Sequence, residues 1–392
     1  MTPGAALLLA VASFVAWVGL IMLRGGFWRA DQRLPSRPPA LHEWPGVVAV
    51  VPARDEAATV GATVASLLGQ DYPGPLALVV VDDGSADGTA GVARVAAAKT
   101  GATDRLTVVE GRPLPPGWTG KLWAVKQGLD AAETILPSAS FVLLTDADIE
   151  HDPLNLCRLV AKAEREGRDL VSLMVLLRCE SGWERLLIPA FVFFFQKLYP
   201  FPSANDPAAS TAAAAGGCML VRRSRLKAIG GVDAIKDRLI DDCALASAIK
   251  RNGGGIWLGL TKSVRSLRAY DGLGEIWRMV ARTAFVQLNR SALLLMGTLI
   301  GMAVIYVVPP ASVAVGIVAG DLRLAAVGAA AWTLMTVAYL PTVRLYGLGA
   351  WRAWLLPLAA VLYTAMTVDS ARRHWLGRGG GWKGRHYGPA NR

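Results

Sequence analysis

The sequence predicts an α/β domain, with a mostly parallel sheet covered by helices on both faces, carried between membrane-spanning helices at the two ends of the chain. Three observations predict it. Short apolar runs alternate with helical patterns between residues 46 and 290, the arrangement that builds parallel sheets from crossover units. Only 18% of the 392 residues are charged and 53% are hydrophobic, against about 25% charged in a soluble globular protein. The apolar excess concentrates before residue 26 and after residue 290, so membrane segments dilute an otherwise ordinary domain.

Taken in order, Gly4–Leu23 is an apolar run of about 20 residues, enough for a helix to cross a bilayer. A signal peptide places basic residues before such a run and small residues at a cleavage site after it. Here no Lys or Arg precedes the run, and Arg24 and Arg29 follow it. Residues 1–25 therefore read as a retained anchor with its N-terminus outside and the following chain in the cytosol. Residues 26–45, with Pro35, Pro38 and Pro39, form a linker. The folded domain occupies 46–290, with strands expected at Val47–Val51, Leu78–Val81, Leu106–Val109 and Phe141–Leu144, and helices at Ala57–Leu68 and Lys121–Ala132.

Residues 291–392 read as a C-terminal membrane domain with a basic tail. Its candidate spans are Ala292–Ala319, Leu324–Leu340 and Trp354–Val368. Pro309–Pro310 interrupts the first, either as a kink or as the turn of a re-entrant segment. Three full spans would leave the basic C-terminal tail outside, against the positive-inside rule; a re-entrant first segment would leave it inside. Two further stretches are candidates for the membrane surface. Leu186–Phe195 is apolar but too short to cross, and Gly274–Arg290 sets Ile276, Trp277, Val280, Ala284 and Leu288 among Arg278, Arg282 and Arg290.

The net charge of +11 does not indicate nucleic acid. Much of the excess lies beside apolar segments, at Arg24, Arg29, Arg33 and Arg37 and at Arg372, Arg373, Arg378, Lys383 and Arg385, which suits anionic lipid headgroups. No zinc-finger or RNA-binding signature is present. Cys157, Cys179, Cys218 and Cys243 are scattered, with no Cys-x-x-Cys pair; neither a disulfide framework nor a zinc site is expected.

Ligands of an open parallel sheet bind beyond the carboxyl ends of its strands, and the acids of this sequence gather there. Pro52-Ala53-Arg54-Asp55-Glu56 follows the first strand, Asp82-Asp83-Gly84-Ser85 the second, and Asp146-Ala147-Asp148 the strand at Phe141–Leu144. Asp146 and Asp148, two positions apart, suit a Mg²⁺ or Mn²⁺ ion that also grips a diphosphate, since these ions take one or two carboxylates and fill their shell with phosphate and water. The plainer reading, a helix cap, accounts for Asp152 better than for acids set against a strand end. A calcium loop starting at Asp83 fails because Arg94 stands where a bidentate Glu is required. A phosphate-binding P-loop ending at Gly120-Lys121 fails because Pro115 and Leu122 replace its glycine and its Ser or Thr. Lys121 nevertheless opens a helix after Gly117 and Gly120, where it is either a phosphate contact or a solvated lysine. Asp241-Asp242 precedes a helix running to about Arg251. Either it caps that helix, or one of its acids is the general base of a displacement.

These motifs, in this order, resemble the family-2 glycosyltransferases of GT-A fold over about residues 47–290. The resemblance implies a nucleotide-sugar site drawn from Pro52, Ala53, Arg54, Glu56, Asp82, Asp83, Ser85, Lys121, Asp146 and Arg282. It further implies a metal at Asp146 and Asp148, and Asp242 as base with Asp241 beside it. Many relatives continue with Gln-x-x-Arg-Trp. Met279-Val280-Ala281-Arg282-Thr283 keeps only the arginine, which argues against processive polymerisation. The segment Pro115-Pro116-Gly117-Trp118-Thr119-Gly120-Lys121-Leu122-Trp123-Ala124, with membrane segments at both ends, is similar to the bacterial hopene-associated glycosyltransferases of hopanoid biosynthesis. It also resembles carotenoid-acid and, more distantly, ceramide glycosyltransferases. The resemblance implies transfer from a nucleotide-diphospho-sugar such as a UDP-sugar to a lipid acceptor, by a multi-pass protein of a bacterial inner membrane. Polyprenyl phosphate is a further acceptor to weigh, and a degenerate scaffold or lipid carrier is the alternative of a different class.

Overall fold

The computed structural model describes residues 2–377, 381–382 and 385–386; Arg378 and Lys383 of the expected basic tail lie outside the described residues. Helix α1 is Pro3–Leu23, followed by β1 Val47–Ala53, α2 Val60–Leu68, β2 Leu76–Asp82, α3 Thr89–Lys99, β3 Leu106–Glu110 and α4 Gly120–Ile135. Next come β4 Phe141–Thr145, β5 Ile149–His151, α5 Asn155–Arg165, β6 Leu170–Leu176, α6 Gly182–Leu198, α7 Phe201–Asn205, β7 Cys218–Arg222 and α8 Arg223–Ala228. The chain continues through α9 Asp241–Arg251, β8 Ile256–Ser266, α10 Leu273–Gln287, α11 Ala292–Met302, α12 Val308–Ala319, α13 Leu322–Leu345 and α14 Leu356–Trp375. These elements make two compact units.

Asp31–Arg178 with Ser203–Ala269 holds an eight-stranded sheet of order β3-β2-β1-β4-β7-β6-β8-β5. Strands β1 to β4 are mutually parallel where they pair, and β7 enters antiparallel to β4 and β6. The expected mostly parallel sheet is therefore present, with an antiparallel strand at its centre. Strand β1 shows why its sequence is apolar at every position. Val47, Ala49 and Val51 pack in one cluster with α2, while Val48 and Val50 pack in another with α4; a strand covered on both faces has no polar side. Each such valine contributes roughly 1.5–3 kcal/mol by its burial. Gly128 lets α4 lie this close, because a Cβ there would stand 2.4 Å from Val50 Cγ1. The register pairs Ala53 with Asp82, Asp82 with Glu110, and Val50 with Leu144. The strands consequently end together, and their three acidic loops line one edge.

The second unit comprises the described residues up to Ala30, Cys179–Pro202, and the chain from Tyr270 to Gly377. Among the described residues, four helices are long and apolar enough to cross a membrane: Pro3–Leu23, Ala292–Ala319, Leu322–Leu345 and Ala350–Trp375. Only 22% of the apolar window of α1 and 17% of that of Ala292–Ala319 is buried, so this chain leaves most of their apolar surface uncovered. The Pro pair neither breaks nor reverses its helix. A π-helical stretch, Ala303–Val307, joins α11 to α12 directly ahead of Pro309 and Pro310, and its wider turn accommodates two residues that lack an N–H. Helix α6 begins with a capping box between Ser181 and Glu184. It touches three other helices of the unit: Lys197 Nζ donates to Tyr306 Oη at 2.8 Å, Gln196 to Thr342 at 3.3 Å, and Tyr363 Oη donates to the Leu187 carbonyl at 2.9 Å. The expected amphipathic helix is α10, which buries Ile276, Val280, Ala281 and Phe285 and sends Trp277 Nε1 to Asp369 of α14 at 2.8 Å.

Candidate active site

The acidic rim is built first by tying the loops after β1 and β2 together. The Asp55 N–H donates to Ser85 Oγ at 3.0 Å, and Asp55 Oδ1 accepts from the Ala86 N–H at 2.9 Å. The Glu56 and Ala57 N–H groups bond Thr89 Oγ1 and Asp87 Oδ2, each at 2.9 Å. Asp55 adopts a left-handed φ of 51° to do this, a conformation that Asp tolerates better than most residues. Asp82 Oδ1 accepts from the Ser85 N–H at 2.9 Å. Arg54 bonds the Asp83 carbonyl, and its guanidinium lies 3.8 Å from the buried Asp83 carboxylate. Pro52 and Ala53 are buried, the Ala53 carbonyl accepting the Asp83 N–H at 2.8 Å. Ser85 is thus spent on loop geometry, and Arg54 ties the β1 loop to Asp83.

Lys121 is the centre of the site. Thr119 caps α4 by accepting from the Leu122 N–H, which fixes the first turn and aims Lys121 inward. Its Nζ lies 2.9 Å from Asp146 Oδ1 and 3.4 Å from Asp241 Oδ2. Burial works against the ammonium, but Asp146 and Asp241 outweigh it and hold Lys121 above the usual lysine value. A cleft lined by Pro52, Lys121, Thr145, Asp146, Gly216 and Asp241 opens here. The solvated-surface reading of Lys121 is set aside by this geometry.

Asp241 and Asp242 occupy the first turn of α9, whose N-cap residue is Ile240 with no side-chain cap. Asp242 is therefore not the N-cap residue. Its Oδ2 accepts from the Gly216 N–H at 2.9 Å and its Oδ1 from the Cys243 N–H at 2.7 Å. Burial and then Asp241 push this carboxyl up to about 6, opposed by the two N–H groups and Lys121. A Cβ on Gly216 would stand 3.3 Å from Lys121 Nζ and 3.5 Å from Asp242 Oδ2, so the residue brings its backbone where a side chain would crowd both.

Asp146 and Asp148 follow β4. Burial, then Asp146 and Glu56, push Asp148 up to about 7, with Arg268 opposing. Negative charge gathered beyond what its neighbours neutralise is the condition that a hard divalent cation relieves. Among the described residues no three His, Cys, Asp or Glu side chains converge as a complete metal cage. Two carboxylates plus ligand oxygens is the arrangement that Mg²⁺ commonly takes, and the residues present fit it. Asp152 is not the N-cap of α5, which is Leu154, but its role is structural: Oδ1 accepts from the Leu154 N–H and pairs with Arg158 at 2.7 Å.

Sequence reading missed the network that connects these parts. Thr145 Oγ1 donates to the Gly217 carbonyl at 2.7 Å and lies 3.0 Å from His151 Nε2, while Asn155 Nδ2 reaches His151 Nδ1 at 3.1 Å. With the Thr145 proton spent on Gly217, His151 carries its proton on Nε2. Burial pushes this imidazole down to about 3, so it stays neutral. The network fixes the end of β4 against the Gly216–Gly217 loop that holds Asp242. An Ala-rich loop ending in two glycines carried no chemical signal of its own. Arg282 lies on α10 of the other unit, with its side chain exposed.

The chain is similar to proteins of known structure. The mannosyltransferase PcManGT from Pyrobaculum calidifontis, solved with GDP-Man and Mn²⁺, is 20% identical, with 94% of this chain and 99% of that chain covered at a TM-score of 0.58. That is a likeness of fold. Glucosyl-3-phosphoglycerate synthase from Mycobacterium tuberculosis, solved with Mn²⁺, UDP and phosphoglyceric acid, is 20% identical over 66% of this chain and 86% of that chain, at a TM-score of 0.42. No curated protein sequence matches the chain. Residues 48–230, which hold the acidic rim, Lys121 and the Gly216 loop, match the sequence profile described as Glycosyl transferase family 2, and the chain therefore carries a family 2 glycosyltransferase domain of GT-A type.

Proposed function

We propose that this glycosyltransferase moves one sugar, with inversion, from a nucleotide-diphospho-sugar, a UDP-sugar, onto a membrane lipid of the hopanoid class. The observation that carries the reading is the pair of backbone N–H groups orienting Asp242 beside Lys121 and Asp146. Asp82, Asp83 and Arg54 bind the nucleoside end of the donor, and Asp146 and Asp148 hold Mg²⁺ or Mn²⁺. An ion held there would neutralise the diphosphate and stabilise it as a leaving group. Lys121 adds a fixed positive charge on the same side. Asp242 keeps lone pairs beyond its two N–H bonds and takes the proton from the acceptor hydroxyl. As the oxygen bonds the anomeric carbon, the bond to the diphosphate breaks on the opposite face, and the configuration inverts. A single displacement and an incomplete Gln-x-x-Arg-Trp motif suit one addition per acceptor.

The apolar helices support a lipid acceptor, because one anchor would suffice to localise the domain. In this reading residues 1–25 anchor the chain, 26–45 link, 46–290 form the cytosolic transferase domain, and 291–392 lie in a bacterial inner membrane. The acceptor approaches within the bilayer along α6 and α10. Lipid mass spectrometry of cells with and without the gene tests the assignment: loss of a glycosylated hopanoid supports it. An unchanged lipid profile alongside loss of a soluble glycoside would overturn it.

A further inference from the structure

The four apolar helices do not all cross the membrane. We propose that residues 346–375 form a re-entrant hairpin seated in one leaflet, so that the chain crosses three times and α14 ends on the face where α1 ends. The inference rests on the membrane reading above, and its evidence lies wholly within the helical unit.

Directions come from packing. Helix α13 folds back along α12: a Cβ on Gly316 would stand 2.5 Å from Ala325 N, and one on Gly328 2.7 Å from Ser312 Cβ. Helix α1 runs the same way as α13, since Ala6 and Ala10 cluster with Leu324 at the start of α13, and Trp17 Nε1 donates to the Ile305 carbonyl at 2.8 Å. The start of α11 therefore lies at the end where α1 and α13 finish. Helix α14 finishes there too. Ala371 clusters with Leu295 of α11 and Phe285, and Ser370 Oγ accepts the Phe285 N–H at 3.0 Å.

Two successive helices, α13 and α14, thus run in the same direction, and only residues 346–355 connect them. That connector would have to recross the whole bilayer if α14 were a full span. It climbs partway instead. Trp332 Nε1 donates to the Trp354 carbonyl at 3.3 Å, and the two rings pack at 5.4 Å. From Trp332 to Leu345 α13 covers about 20 Å, at 1.5 Å per residue. The apolar part of α14, Leu356–Val368, is likewise about 20 Å long, after which Asp369, Arg372, Arg373 and His374 follow. Both lengths fall short of the roughly 30 Å hydrocarbon core. The exposed Arg372 then faces anionic headgroups on the side where Arg24 ends α1, which reconciles an odd number of crossings with a basic C-terminal end.

Single cysteines at Ala350→Cys, Leu376→Cys and Leu322→Cys, labelled in the full chain with a membrane-impermeant maleimide in right-side-out and inverted vesicles, test this. Residues 350 and 376 are expected to label from one face and residue 322 from the other. Opposite faces for 350 and 376 would overturn the hairpin. Protease accessibility of a C-terminal tag on the otherwise unaltered chain, expected only in inverted vesicles, gives the same answer should a cysteine variant misfold; access only in right-side-out vesicles contradicts it. Extraction of the chain by alkaline carbonate would instead defeat the membrane reading itself, a distinguishable failure.

Discussion

Replacing Lys121 with Met removes the one ammonium that touches both Asp146 and Asp241, and its consequence can be sized from the structure. A charge-assisted hydrogen bond contributes about 1.5–3 kcal/mol, so kcat/KM is expected to fall roughly 10- to 150-fold. The more specific effect is on Asp242. The positions that a Gly216 Cβ would approach, Lys121 Nζ at 3.3 Å and Asp242 Oδ2 at 3.5 Å, place the two charges at most about 7 Å apart. At that distance a unit charge is worth about 2 kcal/mol at an effective dielectric near 20, or about 1.5 pH units. Burial and Asp241 already raise the Asp242 carboxyl to about 6, and Lys121 opposes them; without Lys121 it rises further. A base must be deprotonated to act, so activity is lost as pH falls through its pKa, and kcat/KM reports that pKa in the free enzyme. The acid limb of the wild-type profile is expected near pH 6, and in Lys121→Met about 1.5 units higher. An unmoved acid limb, whatever the loss of rate, would refute the coupling of Lys121 to the base.

Asp242→Asn should lower kcat by about 10²–10⁴-fold while donor affinity, read by calorimetry with UDP, stays nearly intact; a normal rate would move the base to Asp241. Excess chelator should abolish transfer, and added Mg²⁺ or Mn²⁺ should restore it, because Asp146 and Asp148 alone repel a diphosphate; full activity in chelator contradicts the metal assignment. Gly128→Ala forces a Cβ to within 2.4 Å of Val50 Cγ1 and should destabilise the sheet-bearing unit by about 1–3 kcal/mol, read as a lowered denaturation midpoint. An unchanged midpoint would mean that α4 can shift freely.

What the sequence made legible were the features that depend on local chemistry. Val47–Val51 announced a strand buried on both faces because no polar residue interrupts it, and the acids at 82–83, 146, 148 and 241–242 stood where strands could be seen to end and a helix to begin. Lys121 was recognisable from its place at a helix start, although its two carboxylate partners lie 25 and 120 positions away in sequence and only the fold brings them together. The rest was hidden for the same reason. Gly216 acts through a backbone N–H, which every residue except proline possesses, and His151 acts through a buried hydrogen-bond chain. Nothing in the composition of Pro309–Pro310 distinguishes a re-entrant turn from a helix that continues through both prolines after a π turn. Leu356–Val368 is apolar in the way of its neighbours; only its partner Trp332, halfway along another helix, shows that it stops short.

The central claim is single-displacement transfer to a membrane lipid, and one reconstitution tests it. The full chain in vesicles of bacterial lipid extract, supplied with a UDP-sugar and Mg²⁺, should yield a lipid heavier by one sugar whose anomeric configuration, read by NMR, is opposite to that of the donor. The Asp242→Asn chain should yield none. A product of retained configuration, or sugar recovered only on water-soluble acceptors, would contradict the account.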